Sequence, residues 1–379
     1  MLPLSYALRN LSRRRGRTAL TFVGLGLVTV LVILMAGFAR GLDRSVAASA
    51  RDDVAVVVGA AGETDLIRSF LAEGAARDIA LSAPGVAEVD GRRAASVELH
   101  TATRIGDRVG LLRGVTREAY LVHPAVVVVE GVEPRGPYEL MAGRLAAARM
   151  AMPDEALAVG RTIRLEGHEW RIVGRFAAPG TVLEAELWGR LDDVKSASRR
   201  VDVSCVALRM KDPGQFPRIH LFATQTLRFE ATAVRQSEIF AKLRQALQPV
   251  SVLAWVMAGL VVVAGVFAAA NTMFAAVLAR TREMGALRAI GYGPSAVAVS
   301  LLEESVLLAG AAGLAGFVVA SLVGEIPLRF PLGAFFVDLG SGVRFLGLAV
   351  ALAAGLLGGI VPAWRAVRMS LPDALGGKL

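Results

Sequence analysis

The hydrophobic positions of this chain are concentrated in four long runs, which cover residues 18–39, 250–279, 295–323 and 343–363. An α-helix rises about 1.5 Å per residue, so ~20 residues cross the roughly 30 Å hydrocarbon core of a bilayer. The four runs therefore predict four membrane-spanning helices. The second run is longer than one crossing needs, so we expect it to tilt or to project beyond the bilayer.

A different pattern fills residues 40–248, between the first two runs. Short apolar stretches such as 54–58, 94–99 and 109–115 are β-branched or alternate in polarity, and Gly and Pro separate them. This pattern is typical of strands. The polar stretch 235–248 favours a helical stalk leading into the second run. The predicted fold class is an α+β membrane protein, with a large strand-rich extracytoplasmic domain between the first and second of four transmembrane helices.

Basic residues beside the runs give the expected orientation. Five arginines lie in or at the end of the N-terminal segment 1–17, and others occupy segments 280–293 and 364–379. Short cytoplasmic segments are enriched in Lys and Arg, so these three segments are predicted to be cytoplasmic. Residues 40–248 and the short loop 324–342 are then external. The long domain carries 29 basic and 27 acidic residues, and long domains translocate largely regardless of charge.

Composition agrees with a membrane protein and excludes several other classes. The chain is 54% hydrophobic with a mean hydropathy of +0.54, too apolar for an ordinary soluble protein. Its net charge of +9 lies mostly in the short segments beside the runs, where it sets topology. The arginine clusters are not interleaved with aromatic residues and no reader motif is present, so we expect no nucleic-acid partner.

The sequence contains little that predicts catalysis or metal binding. A single cysteine, Cys205, excludes an internal disulfide and a Cys-based zinc site. His168 and Glu169 begin an HExxH pattern, but Ile172 stands where the second histidine is required. No GxxxxGK[ST] phosphate-binding loop occurs. We therefore expect no catalytic residue, no metal site and no cofactor in this chain.

The charged segment 280–293 separates the second and third runs. Its sequence, RTREMGALRAIG followed by YG, can form a short amphipathic helix at the bilayer surface. In that helix Leu287 and Ile290 would face inward, while Arg280, Glu283 and Arg288 would stay in water.

Two further features lie within the predicted spans. Glu303 and Glu304 are intramembrane carboxylates, interpreted mainly as groups that reach interfacial water or pair with Arg282 or Arg288, with an ion relay as the alternative. Small residues recur at a spacing of four and favour close helix approach, either within the bundle or between protomers. The helix-packing candidates are Gly316, Ala320, Gly347, Ala351, Gly355 and Gly359.

Several stretches in sequence order resemble the FtsX/MacB/LolC-type permeases of ABC transporters, the type VII or mechanotransmission group. The most specific is NTMFAAVLARTREMGALRAIGYG with the following LLEES. The others are ALRNLSRRRGRTALTFVGL, YELMAGRLA, ALAVGRTIRLEGHEWRIVGRF, QSEIFAKLRQAL and GGIVPAWRAVRMSLPDAL. The resemblance covers nearly the whole chain, and its external part is similar to a MacB-like periplasmic core domain.

This resemblance implies a permease in a bacterial inner membrane that dimerises, as a homodimer or a heterodimer, and pairs with separate ATPase subunits. ATP and Mg²⁺ would be bound by those subunits. A periplasmic adaptor protein and membrane lipid are further candidate partners. The segment after the second span would be the coupling helix against the ATPase. Its candidate coupling residues are Arg282, Glu283, Gly285, Leu287, Arg288 and Gly291.

Two functions fit this architecture. The first is export or extraction of a hydrophobic or amphipathic substrate, such as a lipid, lipoprotein, peptide or drug. The second is an FtsX-like signal transmitter that activates a cell-wall hydrolase or a sensor without transport. The size of domain 40–248 favours export. A membrane-embedded enzyme is disfavoured, since no Ser/His/Asp, metal or paired-carboxylate arrangement is evident.

Overall fold

The computed structural model describes Tyr6 and residues 15–59, 62, 65–226, 230–330 and 333–369. The chain divides into two compact units. The helical unit comprises residues 1–40, 249–326 and 337–379, and the strand-rich unit comprises residues 41–248 and 327–336.

Ten α-helices are assigned among the described elements. In chain order they are α1 Arg15–Ser49, α2 Glu73–Ser82, α3 Ala119–Val122, α4 Ala146–Arg149, α5 Leu191–Ser198, α6 Phe216–Leu221, α7 Gln236–Leu278, α8 Thr281–Ala289, α9 Pro294–Leu322 and α10 Ser341–Arg368. Within the described residues, four helices are long and apolar enough to cross a membrane, namely α1, α7, α9 and α10.

The expected stalk and the second span form one continuous helix. Helix α7 runs for 43 residues, and Pro249 lies inside it. A proline in a helix interior removes one hydrogen-bond donor. The boundary between the two units falls at this proline.

Close approach of helices holds the helical unit together. A Cβ atom added at Gly347 of α10 would lie 2.4 Å from Ile33 of α1, and one at Gly355 would lie 2.3 Å from Ala309 of α9. Ser305 of α9 also donates a 2.6 Å hydrogen bond to the carbonyl of Gly355. Helices that lack large side chains at their contact can pack this closely in lipid.

Sixteen strands are assigned within the described part of the chain, and all of them lie in the strand-rich unit. They are β1 Val54–Gly59, β2 Leu71–Ala72, β3 Glu88–Val89, β4 Arg92–Arg93, β5 Ala95–Ile105, β6 Arg108–Val115, β7 Val127–Gly131, β8 Glu139–Gly143, β9 Thr162–Leu165, β10 His168–Ala177, β11 Leu187–Arg190, β12 Asp202–Val203, β13 Cys205–Arg209, β14 Ala231–Arg235, β15 Pro327–Phe330 and β16 Gly333–Phe336.

Ten of these strands form the main sheet, in the order β14-β1-β13-β5-β6-β11-β8-β10-β7, with β9 also paired to β10. Most neighbours are antiparallel, but β6 pairs with β11 and β8 pairs with β10 in parallel. Strand β1 is buried along its whole length. Its alternate residues enter two different apolar clusters, so the sheet is covered on both faces here.

The larger core covers one face of the sheet. It includes Trp170 of β10, Leu99 of β5, Leu112 of β6 and Ile79 of α2, each with essentially no exposed surface. Along β5, Val97 and Leu99 face this core, so Glu98 and His100 point to the opposite face because strand side chains alternate.

The loop 324–342 contains a β-hairpin, which the sequence interpretation did not anticipate. Strands β15 and β16 pair antiparallel, and residues 327–336 belong to the strand-rich unit. Ala334 is fully buried with Leu145 and Ala185, and the guanidinium of Arg144 lies 5.2 Å from the ring centre of Phe336. The segment is therefore a packed part of that unit.

The predicted fold class is confirmed. Helices and strands are mixed, four apolar helices are present among the described residues, and the large strand-rich domain lies between the first and the second of them.

Candidate functional site

The segment predicted to couple to the ATPase (residues 280–291, here called the coupling segment) contains helix α8, which two residues separate from the end of α7. Arg280 is its N-terminal flanking residue, and the amide of Met284 donates to the Arg280 carbonyl. At the other end Gly291 has φ +107°, a conformation that L side chains rarely adopt. A glycine after the last helical residues commonly ends a helix in this way.

The buried face of α8 differs from the one we expected. Thr281, Met284 and Gly285 are buried, at the i, i+3, i+4 spacing of one helix face. Ile290 was expected to face inward, but it is 78% exposed. Leu287 is half-buried. The inward face is therefore set by Met284, which packs in a cluster with residues of α7, α9 and α10.

Arg280 was expected to stay in water, and this was wrong. Its guanidinium forms a two-pronged ion pair with Glu304 of α9, with Nη1–Oε2 and Nη2–Oε1 distances of 2.7 and 3.1 Å. Both side chains are only 8% exposed. Paired donors that match both carboxylate oxygens give strong and directional contacts. The sequence predicts that Glu304 reaches interfacial water or pairs with Arg282 or Arg288, whereas its partner in the structure is Arg280.

Arg288 attaches the far end of α8 to α10. Its Nη1 donates a 2.5 Å hydrogen bond to the carbonyl of Met369, directly after α10 ends. The side chain is half-buried. The two ends of α8 are thus held by two arginines, one bound to α9 and one bound to the end of α10.

The other candidate coupling residues present a charged surface. Arg282 and Glu283 are exposed, and neither side chain has an ion pair or hydrogen bond within the described part of the chain. Glu303 is half-buried and likewise has no such partner there.

The small residues of α9 and α10 lie between helices of this same chain. Gly316 lies against Thr29 of α1, and Gly359 against Ser305 of α9. Ala320 is buried beside Ile33, and Ala351 faces Gly313. These contacts agree with the packing interpretation, and the protomer–protomer contact stays a prediction.

Sequence reasoning missed a buried polar network in the strand-rich unit. The Arg113 guanidinium bonds both oxygens of Glu186, at 2.7 and 2.8 Å, and one oxygen of Glu98, at 2.8 Å. His123 lies 2.9 Å from the other Glu98 oxygen. The alternation of side chains in β5 places Glu98 and His100 on one face. This spacing was the feature of the sequence from which the network could have been predicted.

Strand pairing brings Cys205 of β13 opposite Glu98 of β5. The Cys205 sulfur lies 3.8 Å from His100 Nε2, and ligand atoms of Glu98, His100 and Cys205 lie within 4.8 Å of one another. Arg113 already donates to the Glu98 oxygen nearest His100. Its positive charge would repel a cation there, so the arrangement fits an internally balanced ion-pair network better than a metal site.

Burial and charge shift the pKa values of this network. Burial raises the pKa of Glu98, but the charges of His123 and Arg113 outweigh it and hold this pKa well below its ordinary value. Burial, with the Arg113 charge, lowers the pKa of His100. Burial and the Glu98 charge raise the pKa of the Cys205 thiol. The favoured state has an ionised Glu98, a neutral His100 and a protonated thiol.

Comparison with known proteins gives two family matches. Residues 18–219 match the MacB-like periplasmic core domain, and residues 255–371 match the FtsX-like permease C-terminal domain. No curated protein sequence matches the chain.

Solved structures also resemble the chain. The periplasmic region of MacB from Actinobacillus actinomycetemcomitans is 8% identical, with a TM-score of 0.37, over 51% of this chain and 92% of that one. The extracellular domain of the noncanonic ABC-type transporter YknZ from Gram-positive bacteria is 12% identical, with a TM-score of 0.36, over 48% of this chain and 99% of that one.

The two family matches occupy most of the sequence, and the first alone covers more than half of it. The first contains most of the main sheet, and the second contains the coupling segment with α9 and α10. The chain belongs to the FtsX/MacB-like family of ABC transporter permeases.

Proposed function

We propose that this chain couples ATP hydrolysis on a separate ATPase subunit to export or extraction of a hydrophobic or amphipathic substrate, by mechanotransmission. The observation that carries this proposal is the attachment of the coupling segment at both of its ends. Arg280 holds Glu304 of α9, and Arg288 holds the end of α10.

This attachment allows a displacement of α8 to move several helices at once. Met284 belongs to one apolar cluster with Val277 of α7, Val297 of α9 and Ala363 of α10. Well-packed interiors transmit displacement because they resist compression. A push on α8 would therefore shift the near ends of three spans together.

The exposed face of the segment supplies a surface for the ATPase. Arg282 and Glu283 offer one charge of each sign, and Ile290 offers an exposed apolar side chain. Interfaces commonly combine a central apolar anchor with a charged rim. In this arrangement Arg288 is a positioning residue, since its guanidinium is held by the chain itself.

Helix α7 is the proposed route from the coupling segment to the strand-rich unit. At about 1.5 Å per residue, 43 residues extend for roughly 65 Å. Motion would pass along one helix, with Pro249 as the point where it can bend. A central substrate channel is not required by this mechanism.

The proposed assembly contains two permease protomers, homodimeric or heterodimeric, with ATP and Mg²⁺ bound by the ATPase subunits. The permease would lie in a bacterial inner membrane, with both termini and the coupling segment in the cytoplasm. The strand-rich unit would face outward, where a periplasmic adaptor protein is a further candidate partner.

The experiment is reconstitution of the permease with its ATPase in lipid nanodiscs, followed by substrate-stimulated ATPase assays. Glu283→Ala is expected to reduce stimulation while the protein stays folded and inserted. Arg365→Ala removes an exposed arginine of α10 outside the segment and serves as the matched control. Unchanged stimulation and complex assembly in Glu283→Ala would refute the coupling role.

Signal transmission without transport is the second candidate, because it uses the same fold and the same ATPase. Extraction of a labelled lipid or peptide from the nanodisc would support export. Co-purification of a cell-wall hydrolase with the strand-rich unit, without any lipid or peptide, would instead support signalling.

A further inference from the structure

We propose that a cleft in the strand-rich unit binds the phosphate or carboxylate group of an anionic amphipathic molecule. This inference rests on the proposed function, since it names a class of substrate for it. The cleft is defined by six residues that line both of its adjoining halves: Val115, Thr116, Arg117, Pro134, Arg135 and Arg190.

The cleft lies where two parallel strands end side by side. Strands β6 and β11 run parallel, and their last residues, Val115 and Arg190, are register partners. Ligands commonly bind in crevices beyond the carboxyl ends of parallel strands. The loops after β6 and before β8 form the walls. The two halves have volumes of about 440 and 450 Å³, within the range of small-molecule sites.

Arginine dominates the lining. Five arginines and three acids surround the two halves together. One of the acids, Glu73, is already bound by Lys195 and Arg77. Arg92, at the other end of the cleft, pairs with Glu118 at 2.6 Å. The two remaining acids of the lining, Glu133 and Asp192, are outnumbered by Arg117, Arg135 and Arg190, so the centre of the cleft favours an anion.

Among the described residues that line the cleft, Arg117 and Arg135 carry unpaired guanidinium groups. Both are exposed, and neither guanidinium has an acid or a carbonyl partner within the described ranges. Arg190 lies 3.8 Å from Asp193, and its Nη1 donates a 3.2 Å hydrogen bond to the carbonyl of Arg135. A guanidinium presents a rigid fork of donors that matches a phosphate or a carboxylate. Two such forks on facing loops form a receptor for one anionic group.

An apolar patch of the same cleft adjoins the arginines. Tyr120 lines the first half and is half-buried, and its ring centre lies 6.1 Å from that of the fully buried Trp188. Leu121 lies beside them. Burial and the nearby Glu133 charge raise the pKa of Tyr120, so its phenol is neutral and can donate a hydrogen bond. A hydrocarbon or aromatic portion fits here while its acidic group remains at the arginines.

The test measures binding by calorimetry, with the full chain held in detergent. Each lipid is titrated into the protein at a concentration below its critical micelle concentration. The probes are dihexanoyl phosphatidic acid, dihexanoyl phosphatidylcholine and inorganic phosphate. The double variant Arg117→Gln/Arg135→Gln should weaken phosphatidic acid binding by about tenfold or more, the usual effect of losing a charged hydrogen bond.

Arg104→Gln/Arg164→Gln is the matched control. Both residues are exposed arginines of the same unit that lie outside the cleft and lack an acid partner in the described ranges. Wild-type affinity in this control, and weaker binding of phosphatidylcholine than of phosphatidic acid, would support the proposal. Equal losses in both double variants, equal affinity for the two lipids, or no binding of phosphatidic acid would overturn it.

Inorganic phosphate identifies the source of the anion. Phosphate that binds as tightly as phosphatidic acid would assign the cleft to a soluble anion and would overturn the amphipathic part of the inference. The titration needs no ATPase, so its failure is distinguishable from failure of the coupling role. Glu283→Ala should leave this binding unchanged, because the residue lies in the other unit.

Discussion

The Arg280 guanidinium and the Glu304 carboxylate face each other as a buried ion pair, with both carboxylate oxygens engaged at 2.7 and 3.1 Å. Arg280 lies between α7 and α8, and Glu304 lies about three turns into α9, which begins at Pro294. The pair therefore links the start of the coupling segment to the third span. A buried charge left without its partner destabilises the fold, so the stability of the helical unit depends on both residues together.

Exchange of these two charges tests the link. Glu304→Ala should destabilise the helical unit by roughly 3–5 kcal/mol, since it leaves Arg280 buried without its counter-charge. The double variant Arg280→Glu/Glu304→Arg should recover part of the stability and of the substrate-stimulated ATPase activity. Thermal unfolding in nanodiscs and ATPase assays measure the two effects. Stability recovered without any recovery of coupling would show that the pair holds the fold but carries no motion.

The two faces of α8 should respond differently to truncation. Met284 is buried among three spans, so Met284→Ala should cost about 2–5 kcal/mol in unfolding free energy. Ile290 is exposed, so Ile290→Ser should leave stability within about 0.5 kcal/mol.

The same Ile290→Ser variant should weaken assembly with the ATPase by about 1–2 kcal/mol if Ile290 is an interface anchor. Unfolding by heat and a pull-down titration with the purified ATPase measure the two quantities. Wild-type assembly in Ile290→Ser would place the partner surface elsewhere on the segment.

Helix contact at Gly355 leaves no room for a side chain. A Cβ there would lie 2.3 Å from Ala309 Cβ and 3.1 Å from the Ser305 carbonyl, so Gly355→Ala should destabilise the helical unit by about 1–3 kcal/mol. Gly259 of α7 has no neighbour within 4 Å of its added Cβ, and Gly259→Ala is the control. Equal unfolding temperatures for both variants would contradict the close α9–α10 contact.

The buried histidine predicts a pH dependence. His100 has a lowered pKa relative to the ordinary 6.5, so the unfolded chain binds a proton more readily than the folded one does. Its stabilising contribution is complete above pH 6.5 and decreases as the pH falls below that value. His100→Gln should flatten the stability–pH curve of the strand-rich unit as the pH falls below 6.5.

Hydrogen exchange of the β5 amides over this pH range, in the full chain, measures the effect. His168→Gln is the control, because His168 stacks on Tyr138 and takes no part in the network. A curve that stays as steep in His100→Gln as in the wild type would assign the dependence to other groups. The lowered pKa of the Glu98 carboxyl affects stability in a separate pH range, below the ordinary pKa of 4.5.

The four spans and the strand-rich domain could be predicted because length and apolar content determine them almost alone. The partner of Glu304 could not. Helix α7 ends at Leu278, and the short break before α8 fixes the direction in which Arg280 points. Since each helical residue turns by about 100°, an error of one or two residues at this break exchanges Arg280 for Arg282.

The buried network was hidden for a different reason. Glu98 and Cys205 lie more than one hundred residues apart, and only the register of β5 with β13 places them opposite each other. Register depends on the whole hydrophobic pattern of both strands, and a single sequence does not pair strands. The cleft between β6 and β11 depends on the same kind of distant pairing.

The strand-rich unit is built from two separate segments of the chain, because residues 327–336, which contain β15 and β16, join it after two intervening spans. A chimera that transplants residues 41–248 into another permease would leave Leu145 and Ala185 without Ala334 above them. Domain exchange between relatives should therefore succeed only when both segments are moved together. A graft of this unit has two sequence inserts, and the second of them is only ten residues long.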